Sequence, residues 1–311
     1  MDQKDRQHDE EALRSALHPR ALAALVGLKL RAEKVAAGVL AGRHLSRHKG
    51  ESTDFVEHKS YSPGDEPRRI DWRVFGRSDR FLVRQQEAEK NLRLVLLVDF
   101  SASMSYASSE LSKIDYACIL AAALASLALR QGDVVGLVAV KEGQPLVIPP
   151  AGGEEHLRQL VGLLEHTTCS GGTQLAPAAE KAASFLGRAG LLVLFSDLFD
   201  SQPDWARALK LQAARGRQAL VFHVLDRDEA EFPFEDPVEF ESLEDERKLV
   251  VYPRELRRRY LREFGSWVAE LRRDFSGPGL LYEKALCQEP PHQPLIRALS
   301  HKAPAQAKRG F

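Results

Sequence analysis

Several ingredients are scarce in this chain of 311 residues, and each scarcity excludes something. Three cysteines, Cys118, Cys169 and Cys287, are odd in number and far apart. They make neither a disulfide framework nor a zinc-type pair, and they suggest buried thiols in a reducing compartment. An excess of charge of one sign is also missing, because 44 Lys and Arg balance 44 Asp and Glu. Such a balance gives no global attraction to nucleic acid or to an anionic membrane. Long apolar runs are absent as well. The longest, ACILAAALASLAL (117–129), falls short of the roughly 20 residues that a spanning helix needs, and it reads as a buried helix. The opening MDQKDRQHDEEALRSAL is too charged for a signal peptide. These absences together predict a cytoplasmic protein with no membrane span.

What is present is the composition of a globular protein, 44% apolar and 28% charged. Residues 9–41 alternate Ala, Leu and charges at helical spacing, with a breaker near His18-Pro19, so two short helices are expected in an N-terminal segment, 1–42. Residues 43–90 have turn residues at 62–67 and 76–79 between strand-like segments, which predicts a small β-rich attachment. From 91 to 303 strands and helices alternate, and 304–311 is a tail. LRLVLLV (92–98) reads as an apolar strand of the kind covered on both faces of a sheet, and DVVGLVAV, LLVLFSD and ALVFHVLD read as further strands. Ser112 with Asp115 predicts a capped helix start. Leu256, Tyr260, Leu261, Phe264, Trp267, Val268, Leu271 and Phe275 recur at three- and four-residue spacing and mark an amphipathic helix. The alternation predicts an α/β fold with a doubly wound, mostly parallel sheet.

The first apolar strand ends in DFSAS. Asp99, Ser101 and Ser103 thus stand at the carboxyl edge, where doubly wound sheets bind ligands at the reversal of strand order. Asp197 closes another apolar strand in the same way. The loop SGGT supplies a further hydroxyl, Thr173, on glycine backbone that can approach closely. Two carboxylates and three hydroxyls form an all-oxygen set, which suits Mg²⁺, Mn²⁺ or Ca²⁺ and disfavours zinc. With only two acids the ion would bind weakly and stay electrophilic, with room for a partner's Asp or Glu.

The D-x-S-x-S of Asp99, Ser101 and Ser103, with Thr173 and Asp197, resembles the metal-ion-dependent adhesion site (MIDAS) of von Willebrand factor A-type domains. In that family the two serines and the threonine coordinate the metal, with one aspartate direct or through water. YSPGDEPRRIDW, Tyr61 to Trp72, is similar to the signature of a bacterial family called domain of unknown function 58, in which Y-x-x-G-D-x-x-R-x-I-D-W precedes such a domain. The resemblance implies a von Willebrand A-like fold. It also implies partnership with a MoxR-type AAA+ ATPase, as adaptor or co-chaperone toward an unidentified client protein.

Other features carry less. Tyr61, Asp65, Arg68, Asp71, Trp72 and Arg73 mix opposite charges around aromatics, as an interdomain fastening or a partner-docking surface does. Ten Lys or Arg against seven Asp or Glu between 43 and 84 is too small an excess for phosphate-driven binding of nucleic acid. Residues 226–246 hold eleven acids and one Arg, and read as an irregular, solvated segment or an acidic docking loop. No G-x-S-x-G elbow and no P-loop is present, so the chain is not expected to be an enzyme of those classes. A divalent-metal-dependent phosphoester hydrolase is the alternative reading, because an open Mg²⁺ position also suits a phosphoester.

Overall fold

The computed structural model describes residues 17–23, 25–47, 58–60, 82–84, 92–187, 190–200, 204–241 and 248–300. Its chain forms two compact units, one made of Met1–Arg43 with Leu92–Phe311 and the other of His44–Asn91.

Apolar β-branched and leucine-rich runs build the sheet of the larger unit. Its strands are β3 (Arg93–Asp99), β4 (Val134–Lys141), β5 (Gln144–Ala151), β6 (Gly190–Ser196), β7 (Gln218–Leu225) and β10 (Leu280–Leu286). In space they run β10-β7-β6-β3-β4-β5. All neighbours are parallel except β4 and β5, which are joined by a tight hairpin. The chain moves outward from β3 to β5, then returns to lay β6 on the other side of β3. Strand order therefore reverses at β3, and the crevice of a doubly wound sheet opens between the carboxyl ends of β3 and β6. The edge strand β5 carries Pro145, Pro149 and Pro150, which a central strand could not accommodate.

The strand period of two divides the core cleanly. Leu94, Leu96 and Val98 point to one face and Val95 and Leu97 to the other. On the first face lie α3 (Lys113–Arg130), α4 (Glu154–His166) and α9 (His292–Ser300), with the N-terminal α1 (Pro19–Ala23) and α2 (Leu28–Arg47). On the second lie α5 (Leu175–Ser184), α6 (Asp204–Ala214) and the carboxyl half of α8 (Pro253–Asp274). Helix α3 is buried along nearly its whole length and starts with the capping box expected of Ser112 and Asp115. The three cysteines are free thiols.

Two expectations need correction. Pro19 begins a helix rather than separating two, and the break comes at Gly27 with its φ of +84°. The helix after it runs for 20 residues with Ala32, Val35, Ala36 and Val39 buried. The helix expected before His18 falls on 9–16, outside the described residues. The 226–246 stretch is not simply irregular. It contains α7 (Arg227–Glu231), with a capping box from Asp226 and Glu229, and β8 (Val238–Glu241), which pairs antiparallel with β9 (Lys248–Val251) just beyond it. Phe232, Phe234 and Phe240 pack on one another there, and that aromatic contact gives the acidic sequence its anchor.

In the smaller unit, β1 (His58–Ser60) pairs antiparallel with β2 (Leu82–Arg84). Tyr61, Asp65, Arg68, Asp71, Trp72 and Arg73 lie outside the described residues. Among the described residues, no helix is long and apolar enough to cross a membrane.

Candidate metal centre

Four of the five expected side chains gather at the crevice around Asp99. The last residue of β3, Asp99 is fully buried. Its Oδ1 accepts from the Ser101 amide at 2.9 Å, and its Oδ2 accepts from the Ser196 hydroxyl at 2.6 Å. Thr173 Oγ1 lies 3.5 Å from Asp99 Oδ2, and the hydroxyls of Ser101 and Ser103 are 3.1 Å apart. A 3₁₀ turn over Ala102–Ser105 brings Ser103 back toward Ser101. The threonine loop is pinned to the serine loop by backbone bonds, from the Ala102 amide to the Gly171 carbonyl at 2.9 Å and from the Ser170 amide to the Phe100 carbonyl at 3.0 Å.

Those separations can be compared with a metal's needs. Adjacent ligands of an octahedral ion with bonds of about 2.1 Å stand about 3.0 Å apart, and bonds of about 2.4 Å widen this to about 3.4 Å. The 3.1 Å spacing falls within that range, and the 3.5 Å spacing lies just above it. One carboxylate and three hydroxyls on two backbone-locked loops thus have the donor chemistry of a hard-cation site, with two of their pair spacings near those of neighbouring ligands. Burial pushes the Asp99 carboxyl up to about 7, and the neighbouring charge of Asp197 adds to the rise. The hydrogen bonds from Ser196 and Ser101 pull it partly back.

Asp197 reaches the same crevice from the end of β6 but is already engaged. Its Oδ1 accepts from the Phe199 amide at 3.2 Å, and its Oδ2 accepts from Lys113 Nζ at 2.7 Å. Lys113 is 1% exposed, donates also to Glu229 Oε1 at 2.5 Å, and sits 5.5 Å from the centre of the Phe199 ring. Burial opposes its charge, but Asp197 and Glu229 together hold the ammonium above its usual range. Burial raises the Glu229 carboxyl, with Lys113 acting against that rise.

Sequence reasoning missed Ser196, Lys113, Glu229 and Asp226. Ser196 stands one residue before Asp197 and one past the Val98–Phe195 pair, which points its side chain at Asp99. Lys113 is a charged residue at the first position of a helix whose next turns are wholly apolar, and that contrast was its available signal. Asp226 is fully buried, accepts from Ser108 N at 3.1 Å and Oγ at 2.5 Å, and takes a further bond from Gln288 at 3.1 Å. It ties the loop after Ser103 to α7.

A family model described as "Protein of unknown function DUF58" matches residues 57–266. The uncharacterized protein Rv1480 of Mycobacterium tuberculosis is 31% identical over 218 residues, covering 69% of this chain and 68% of that one. Among solved structures, the conserved hypothetical protein BatB from Bacteroides thetaiotaomicron matches at 15% identity with a TM-score of 0.43, over 67% of this chain and 97% of that one. The VWA domain of SpRpn10 matches at 11% identity with a TM-score of 0.38, over 68% of this chain and 95% of that one. The extent of the family match and the identity to Rv1480 decide the assignment: this chain belongs to the DUF58 family.

Proposed function

We propose that this chain is a protein-interaction module whose crevice presents a divalent ion, Mg²⁺ or a similar hard cation, to an acidic side chain of a partner. The observation that carries the reading is the convergence of Asp99, Ser101, Ser103 and Thr173 at the reversal of strand order. Asp99, Ser101, Ser103 and Thr173 would hold the ion, with Asp197 beside them. When bound, the ion supplies an electrophilic position that a carboxylate can fill. The chain's own residues set the geometry. Asp99 provides the single direct charge, the hydroxyls fix the approach, and the two loops hold them in register. A low ligand charge leaves the ion short of anionic partners, and that shortage favours capture of an outside carboxylate.

The partner class follows from the family resemblance: a MoxR-type AAA+ ATPase, whose remodelling this protein would direct to a client. Catalysis is not part of the reading. A pull-down of the MoxR-type ATPase of the same organism tests the proposal. Capture should need Mg²⁺ and disappear both in EDTA and with Asp99→Ala of unchanged circular dichroism. Equal capture in EDTA overturns it.

A further inference from the structure

We propose that Lys113 is a built-in counter-cation that keeps Asp197 out of the direct ligand set, so that it sets how weakly the crevice holds a divalent ion. The inference rests on the reading of the crevice as a hard-cation site and concerns only the affinity of that site.

The geometry is specific. A lysine is almost never fully buried unless paired, and Lys113 is 1% exposed. Its ammonium has three donors. One goes to Asp197 Oδ2 at 2.7 Å and one to Glu229 Oε1 at 2.5 Å, while the charge also lies over the Phe199 ring at 5.5 Å. The Lys113 amide donates to the Tyr106 carbonyl at 3.0 Å, so its backbone is fastened to the end of the serine loop. Residues on both sides of the crevice thus fix the lysine in place. Asp197, like Asp99, has both oxygens engaged, but one of its partners is the fixed Lys113 ammonium rather than a hydroxyl or amide. To coordinate an ion directly it would have to leave the ammonium, and the ion would have to settle beside a fixed positive charge. Both effects oppose binding. In a buried setting neither is screened as a surface pair would be. The working donor set is then one carboxylate and three neutral hydroxyls, a set that binds and releases rather than stores its ion.

Removing the lysine charge should reverse this. Lys113→Met keeps much of the stem volume and frees Asp197. The buried acids left behind could unfold the chain, so Lys113→Met/Glu229→Gln, which removes one positive and one negative charge together, serves as the second variant. Isothermal titration with MnCl₂ reads affinity, and the rise in melting temperature with 5 mM MnCl₂, a concentration of about millimolar order, reads it independently. Wild type should bind weakly. Whichever variant folds should bind at least tenfold more tightly and gain more melting temperature from Mn²⁺, and adding Asp197→Asn should cancel the gain. Wild-type binding with affinities equal within twofold in the variants overturns the role of Lys113 and leaves the metal site standing. No Mn²⁺ binding by wild type or by either folded variant overturns the metal site itself, and the inference with it.

Discussion

At the scale of single residues, the crevice is a place where burial and charge oppose each other. Asp99 sits in the sheet with no exposed surface and with Asp197 nearby, and its carboxyl is raised to about 7. A carboxyl whose folded value lies above its unfolded one holds its proton more firmly when folded. Its stabilising contribution is complete below about 4, the unfolded value, and is lost as pH rises through about 7. The metal-free protein should therefore lose melting temperature between pH 4 and pH 8. Asp99→Asn, which cannot ionise but can still meet Ser196 and the Ser101 amide, should flatten that slope and melt higher than wild type at pH 8. Melts in EDTA across that range check it, and parallel slopes for the two proteins would show that Asp99 is not the group responsible. The residue scale also shows what could be read from sequence. An acid and hydroxyls at the end of apolar strands are visible as letters, because strand ends and ligand types are local properties. Lys113 was not visible in that way. Its partners come from β6 and α7, far along the chain, and only the assembled fold tells a buried counter-ion from an ordinary charge at a helix start.

At the scale of elements, the site depends on two loops that touch through backbone. The four strands at the centre of the sheet, α3 and α8 were legible because apolar periodicity and capping residues are strong local signals, as Ser112 and Asp115 show at the start of α3. The acidic stretch was misread because its order comes from Phe232, Phe234, Phe240 and the α7 capping box, while composition alone reports its charge. The SGGT loop was legible as a close approach, and the structure gives the reason. Gly171 adopts a φ of +66°, and a Cβ there would meet Glu142 Cγ at 2.9 Å and its Cα at 3.3 Å. Its carbonyl is the one that receives the Ala102 amide. Gly171→Ala should cost about 1–2 kcal/mol from the left-handed backbone alone. Because the same residue holds Thr173 near Asp99, the substitution should also weaken Mn²⁺ binding several-fold. A urea melt and a titration on the same sample check both effects, and unchanged binding would detach Thr173 from the site.

At the scale of the whole molecule, the sheet unit is closed by residues from far upstream. Leu17, Leu22, Val35 and Val39 are at most 1% exposed and belong to the core that covers α3 and α4. Polar contacts point the same way: the Leu28 amide donates to Glu165 at 2.5 Å, and Lys29 pairs with Glu154 at 2.5 Å. The ion pair is exposed and adds little, so the apolar side chains carry the attachment. Each of the four contributes about 1.5–3 kcal/mol on burial. Together they approach the whole folding free energy of an ordinary domain, about 5–15 kcal/mol. Helix α3 would lose its cover if they were removed, and α3 carries Lys113 at its first turn, so the crevice would lose its framework along with the core. A chain lacking residues 1–43 should accordingly lose its near-ultraviolet dichroism and its cooperative melt, and bind hydrophobic dye. If that truncated chain instead melts cooperatively within a few degrees of the full protein, the upstream helices are an accessory and the sheet unit folds without them.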